Sequence, residues 1–301
     1  MKLFAIETVD VRGLQNGIFS FAKGPEQAHD RVLVTGGPGT GKTRLLQVIA
    51  AARKCLAPYD DLGSQEEYIR RGNRFSKAIL AWLLSPEEQA RIGSPTRVVA
   101  TEVIFGAEAP VEGVDARFLY LIERYSHDDD TPKLEYFSEQ RRLEYGGGEM
   151  GLSEGEQAPY RASDDPRKFA WLPTFLAQLP TMPDDAARFA AILERVCPTA
   201  GYDLQRKALC SRGRPVRSLA ELSASEADGV TFAATATLVG LSHSIVLVDR
   251  PEVNGLDPQR ALAGLSALGA DNQLFIATSS PDLAVGFDGA VIQLDQTRGL
   301  R

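Results

Sequence analysis

The sequence predicts an α/β fold with a mixed β-sheet core, an antiparallel β subdomain and a helical lid. Three observations predict it. An apolar β run at 31–35 passes through a glycine-rich loop into an amphipathic helix at 44–52. A second apolar run, 245–248, ends in Asp249 and is followed by a helical stretch and a further apolar run at 273–278. Between these halves lie β runs at 97–105, 116–125 and 133–137, separated by turn-forming residues, which read as an antiparallel meander.

From the N-terminus, residues 2–12 alternate imperfectly as a strand. Leu3, Ala5, Val9 and Val11 share one face, and Phe4, Ile6 and Thr8 share the other. The Gln15-Asn16-Gly17 turn leads to a short strand at 18–21. Residues 53–96 read as polar and helical, broken by Pro58, Gly63, Gly72, Pro86, Gly93 and Pro95, with 75–84 their most apolar stretch. Gly146-Gly147-Gly148 opens a connection that reads as mobile as far as about 166. Residues 167–197 read as helical with breaks at Pro173, Pro180 and Pro183. There Phe169, Trp171 and Phe175 suit the core of a lid better than a base-stacking platform. Helices at 226–240 and 258–268 and a strand at 290–294 close the chain. The expectation is a single domain over 1–301, with inserted, mostly helical regions at about 50–96 and 145–200.

Composition narrows the function classes. Apolar residues make up 44% and charged residues 24%, the mix of a globular protein, which excludes collagen-like and disordered readings. A net charge of −7 argues against coating nucleic acid or anionic membrane by bulk charge. Three cysteines without a CxxC pair offer no zinc site and suit a reducing compartment. No signal-like stretch and no span of membrane length is visible, so the expected location is cytoplasmic with no membrane span.

The glycine-rich loop carries the most specific chemistry. Gly36, Gly37, Pro38, Gly39, Thr40, Gly41, Lys42 and Thr43 match GxxxxGK[ST] in full, between a predicted strand and a predicted helix. Glycines allow successive backbone N–H groups to converge on one anion, at a helix N-terminus that favours negative charge. Lys42 is expected to reach the β- and γ-phosphates and Thr43 to ligate Mg²⁺, with Arg44 continuing the nucleotide-binding run. ATP and Mg²⁺ are the expected cofactors.

Further motifs follow in a fixed order. Leu222-Ser223-Ala224-Ser225-Glu226 precedes a helix, Ser244 to Asp249 forms an apolar strand ending in an acid, and Gly255-Leu256-Asp257-Pro258 follows it. Thr278-Ser279-Ser280-Pro281 comes last. This order resembles ABC-class P-loop ATPase heads of the RecF, SMC and OLD-like kind, over nearly the whole chain. The resemblance implies an ABC-type head in which Leu222–Glu226 is similar to the signature, with Ser225 in a glycine position. It also implies that Asp249 is the Walker B acid, Asp257 the D-loop acid, and 278–281 the switch usually read T-H-S-P. Residues 136–143 resemble the stretch before the lid. In that family two heads sandwich two ATP molecules, so a homodimer or heterodimer through the nucleotide is implied. Read from the residues alone, Ser223 with Glu226 is also a capping box, and Asp257 a turn residue before a helix-starting proline.

Two positions depart from the family pattern. Arg250 stands where a water-polarising glutamate follows the Walker B acid, and Ser279 stands at the switch histidine. Glu252, further on, is no obvious substitute, because the family often carries an acid there too. Lys42, Asp249, Arg250 and Ser279 are thus the catalytic positions, with slow hydrolysis expected, since a positioned general base contributes about 10²–10⁴-fold. The functional expectation is an ATP-dimerised ATPase in a DNA-maintenance or defence-like system. The alternatives are a nucleotide-gated interaction protein with a separate effector partner and, less well supported by the long interval between Lys42 and Leu222, a transporter ATPase subunit. DNA contact through Arg206, Lys207, Arg212, Arg214 and Arg217 competes with a plain solvated loop. A metal cluster at His127-Asp128-Asp129-Asp130 is disfavoured, because adjacent loop residues seldom converge on one ion.

Overall fold

The computed structural model describes residues 1–56, 64–111, 113–127, 133–141 and 151–294. Strand β1 (Lys2–Val9) pairs antiparallel with β2 (Gly17–Ser20), and the short hairpin β3 (Ala22–Gly24) and β4 (Gln27–Ala28) leads into β5 (Arg31–Gly36). The glycine loop then turns the chain into helix α1 (Lys42–Leu56). Next come β6 (Ser76–Leu83), α2 (Pro86–Ile92), β7 (Val98–Phe105), α3 (Ala116–His127) and β8 (Leu134–Phe137).

Two expectations are corrected in this stretch. Residues 53–96 are not mostly helical, because 76–83 form β6 at the centre of an antiparallel sheet ordered β2-β1-β6-β7. Ser76, Ala78, Leu80 and Trp82 are buried and alternate with half-buried neighbours, a period of two that belongs to a strand. Residues 116–125, expected as a β run, are helix α3, in which Phe118, Leu121 and Ile122 recur at helical spacing and pack into the core. The antiparallel meander over 97–137 is therefore not formed. Instead β7 pairs with β6, and β8 joins the central sheet in parallel.

The remaining elements are α4 (Glu154–Gln157), α5 (Leu172–Gln178), α6 (Pro183–Val196), and the strands β9 (Ala200–Asp203), β10 (Ala208–Ser211) and β11 (Arg214–Pro215). They are followed by α7 (Ala224–Val239), β12 (Ile245–Asp249), α8 (Pro258–Leu265), β13 (Gln273–Ala277) and β14 (Ala290–Leu294). The central sheet, ordered β14-β5-β13-β12-β8, is parallel throughout, and the antiparallel pairing belongs to the separate sheets. Gly146–Gly148 and Asp128–Asp130 lie outside the described residues.

Strand alternation divides the core between the two faces of the central sheet. Val32, Val34, Ile245, Leu247 and Phe275 pack on one face with α1, α3 and the antiparallel sheet. Leu33, Val246, Val248, Leu274 and Ile276 pack on the other with α5, α6, α7 and α8. A parallel sheet covered on both faces explains why its strands read as continuous apolar runs. Helix α7 is buried almost all round, including Val230, Phe232, Ala233 and Ala236, so its sequence shows little amphipathic stripe. Phe169, Trp171 and Phe175 belong to this second core, and Phe137 of β8 packs against both Phe169 and Phe232. Buried Lys168 fastens the same region by donating to the carbonyls of Tyr136 at 2.7 Å and Arg161 at 2.6 Å and pairing with Glu135. No helix among the described residues is long and apolar enough to cross a membrane.

Candidate functional site

The C-terminal ends of β5, β12 and β13 lie side by side, the position at which open α/β sheets hold ligands. Between β5 and α1 the loop adopts left-handed backbone at Gly39 (φ 73°) and Gly41 (φ 96°). A side chain at Gly41 would run into the Gly13 carbonyl and Leu14, whereas Gly39 faces open space. Lys42 folds back along this loop, donating from Nζ to the carbonyls of Gly36 at 2.9 Å and Gly37 at 2.7 Å. Thr40 donates to the Gly37 carbonyl at 3.0 Å. Burial lowers the pKa of the Lys42 ammonium; Asp249 and Glu252 act to raise it and Arg250 to lower it. The charges of these three residues are therefore felt at the cradle.

Asp249 ends β12 fully buried, and neither carboxylate oxygen has a hydrogen-bond partner of full geometry among the described residues. Burial pushes its carboxyl up to about 6, with the Thr43 hydroxyl opposing that rise. A desolvated carboxylate with only a hydroxyl turned to it, beside a glycine-lined loop, is a hard-oxygen donor set that suits Mg²⁺ carried by a polyphosphate. Thr43 and Asp249 would hold that ion, and Gly36 to Thr43 the phosphates. The residues present fit both groups.

Arg141 organises the backbone around this end. Its side chain and that of Asp228 in α7 are both 0% exposed, and they pair through Nε at 2.6 Å and Nη2 at 3.1 Å. The guanidinium also donates to the carbonyls of Ser138 at 2.8 Å, Asp249 at 2.7 Å and Arg250 at 2.9 Å. It lies over the Phe232 ring as well. The loop after β12 is thereby tied to α7.

Arg250 is left-handed (φ 47°), and its backbone N–H donates to Ala277 at 2.8 Å. Its guanidinium donates to Glu139 at 2.9 Å, with side chains 44% and 40% exposed. Glu252 reaches across to the end of β13, where its Oε1 accepts from the Thr278 hydroxyl at 2.8 Å and the Ser279 N–H at 3.4 Å. Ser279 itself is exposed.

Ser223 caps α7 with Glu226 in a reciprocal capping box, Ser225 lies 3.3 Å from the Ser223 hydroxyl, and Ser211 of β10 donates to Glu226 at 2.8 Å. Burial acts to raise the pKa of Glu226, but the hydrogen bonds from Ser223 and Ser211 and the charge of Arg212 outweigh it and hold the carboxyl low. Asp257 is the exposed N-cap of α8, accepting from Arg260 N–H at 2.9 Å. Arg44 turns to Glu67 at 3.3 Å and lies over the Tyr68 ring. Arg206 pairs with Asp203 at 3.6 Å and Lys207 donates to the Pro180 carbonyl at 2.9 Å, while Arg212, Arg214 and Arg217 are exposed around the β9–β11 sheet.

The motif order reaches Glu139 and Arg141 only as part of the 136–143 stretch, without a role for either, and passes over Asp228. The available signal was Asp228, an acid within the apolar helix α7, since a buried charge needs a partner.

No protein-family model and no curated protein sequence matches the chain. Solved structures do. The SMC head bound to the C-terminal winged-helix domain of ScpA is similar at 11% identity and a TM-score of 0.55, covering 95% of this chain and 91% of that one. The recombination mediator protein RecF with ATP is similar at 12% identity and 0.53, covering 97% and 95%. The SMC head domain from Thermotoga maritima is similar at 14% identity and 0.50, covering 96% and 93%. The fold is that of an ABC-class P-loop ATPase head.

Proposed function

We propose that the protein binds ATP with Mg²⁺ at Gly36–Thr43, dimerises on it as a single composite head, and hydrolyses it slowly. The observation that carries this reading is the Asp249 carboxylate, fully buried beside the Lys42 cradle with only the Thr43 hydroxyl turned to it among the described residues. Leaving such a charge desolvated costs several kcal/mol, which a bound cation offsets. Mg²⁺, when bound, neutralises charge on the β- and γ-phosphates. Lys42 contributes a second positive charge once its Nζ leaves the Gly36 and Gly37 carbonyls for phosphate oxygens.

Dimerisation places the capped N-terminus of α7, with Ser223 and Ser225, against the nucleotide of the partner head, as a helix N-terminus suits an anion. The setting we propose is a DNA-maintenance or defence-like system, in line with the RecF and SMC heads that share the fold. DNA contact would run through Arg212, Arg214 and Arg217, which extend exposed from an otherwise acidic chain. A second reading, a nucleotide-gated interaction protein acting through an effector partner, is favoured by Arg250 at the position where a water-polarising acid is needed.

Phosphate release and sedimentation, with and without ATP·Mg²⁺, test the proposal on the native chain and Lys42→Ala. Native protein should shift to dimer on ATP and release phosphate slowly, and Lys42→Ala should do neither. A native chain that stays monomeric and binds no ATP would sink it. Dimers with no turnover at all would favour the nucleotide-gated reading.

A further inference from the structure

We infer that Glu252 is the carboxylate that takes the proton from the attacking water, replacing the acid that the loop lacks at Arg250. The inference rests on the ATP-hydrolysing reading above and deepens it. A general base needs an oxygen free to accept a proton, a side chain held in one place, and a position beside the γ-phosphate. Arg250 fails the first condition, because a guanidinium has no acceptor, and its side chain is drawn away to Glu139 at 2.9 Å. The Ser279 hydroxyl is not a base near neutral pH. Asp249 faces Thr43 and, in the reading above, would be taken up by the cation.

Glu252 meets the first two conditions, and it stands at the end of the sheet that carries the phosphate cradle. The Thr278 hydroxyl at 2.8 Å and the Ser279 N–H at 3.4 Å fix Oε1, while Oε2 is buried and has no hydrogen-bond partner among the described residues. The Thr278 that holds it is itself tied through its N–H to the Val34 carbonyl of β5 at 3.0 Å, directly before the phosphate cradle. In the step, the water oxygen forms a bond to the γ-phosphorus as one water proton passes to Oε2 of Glu252. The bond from the γ-phosphorus to the β–γ bridging oxygen breaks, and its electron pair leaves with ADP. Glu252 then releases the proton to solvent and is a carboxylate again.

Glu252→Gln separates this role from a structural one, because the amide carbonyl still accepts from Thr278 but takes up no proton. Single-turnover phosphate release should fall about 100-fold or more. ATP should still drive dimerisation, and acid quench of the isolated dimer should recover intact ATP where native protein yields ADP. Glu252→Ala should lose turnover as well. A Glu252→Gln protein that keeps the native rate overturns the inference, as does one that no longer binds ATP. Native protein that dimerises on ATP yet never hydrolyses it also overturns the inference, while leaving the ATP-binding reading standing. Failure of the native chain itself to bind ATP overturns that reading, and the inference with it.

Discussion

Asp249 shows what one residue contributes to a ligand-binding fold. Its carboxyl titrates at about 6 in the folded chain against an ordinary 3.8, because burial disfavours the charge. Between those values the folded state holds a proton that the unfolded state has lost, so stability falls as pH rises through about 4 to 6 and stays low above. The shift corresponds to about 3 kcal/mol at most. Asp249→Asn should therefore leave the ligand-free protein as stable as native near pH 4 and more stable near pH 7. Urea midpoints across that range check this, and parallel native and variant curves would refute it. The same variant should gain no stability from Mg²⁺ with nucleotide. Residues of this kind are legible when chemistry concentrates them in one stretch, as in Gly36–Thr43. Arg141 and Asp228 are far apart in sequence, and only the fold brings them within 2.6 Å.

At the scale of elements, the sequence is read well where one period dominates and badly where burial blurs it. Helix α1 and the strands β5, β12 and β13 fall at the expected places. Strand β6 escapes notice because proline and glycine punctuation on both sides suggests short helices, and its partners β1 and β7 are needed to reveal it. Helix α3 is rich in aromatic and branched residues, including Phe118, Tyr120 and Ile122, whose preference for strands loses to helical spacing of the buried set. Two helices share one N-terminal device, the capping boxes Ser85 with Glu88 on α2 and Ser223 with Glu226 on α7. Either serine changed to alanine should lower stability by about 1 kcal/mol. Only Ser223→Ala should also weaken ATP-driven dimerisation, read by sedimentation. Equal effects of the two on dimerisation would reduce the α7 box to a plain cap.

For the whole molecule, the chain's two tryptophans divide between the two cores, Trp82 on the antiparallel-sheet side and Trp171 on the lid side. The strands between them send alternate residues into each core, as Val246 and Leu247 do, so neither core can dissolve without exposing the sheet that both share. Single-tryptophan variants, Trp82→Phe and Trp171→Phe, should accordingly report coincident urea midpoints once their own stabilities are matched by circular dichroism. Separate midpoints would mean two independently folding units. The order of motifs along the chain makes this architecture largely legible, whereas the side-chain ties across it are not. Of those ties, Arg141 has the widest reach. Every donor of its guanidinium is engaged, so α7 cannot rotate about its axis without stretching the bonds to the Asp249 and Arg250 carbonyls. A push on α7 at Asp228 would therefore be felt at the main chain of Asp249 and Arg250. Helix α7 and the loop after β12 thus share one stiff linkage.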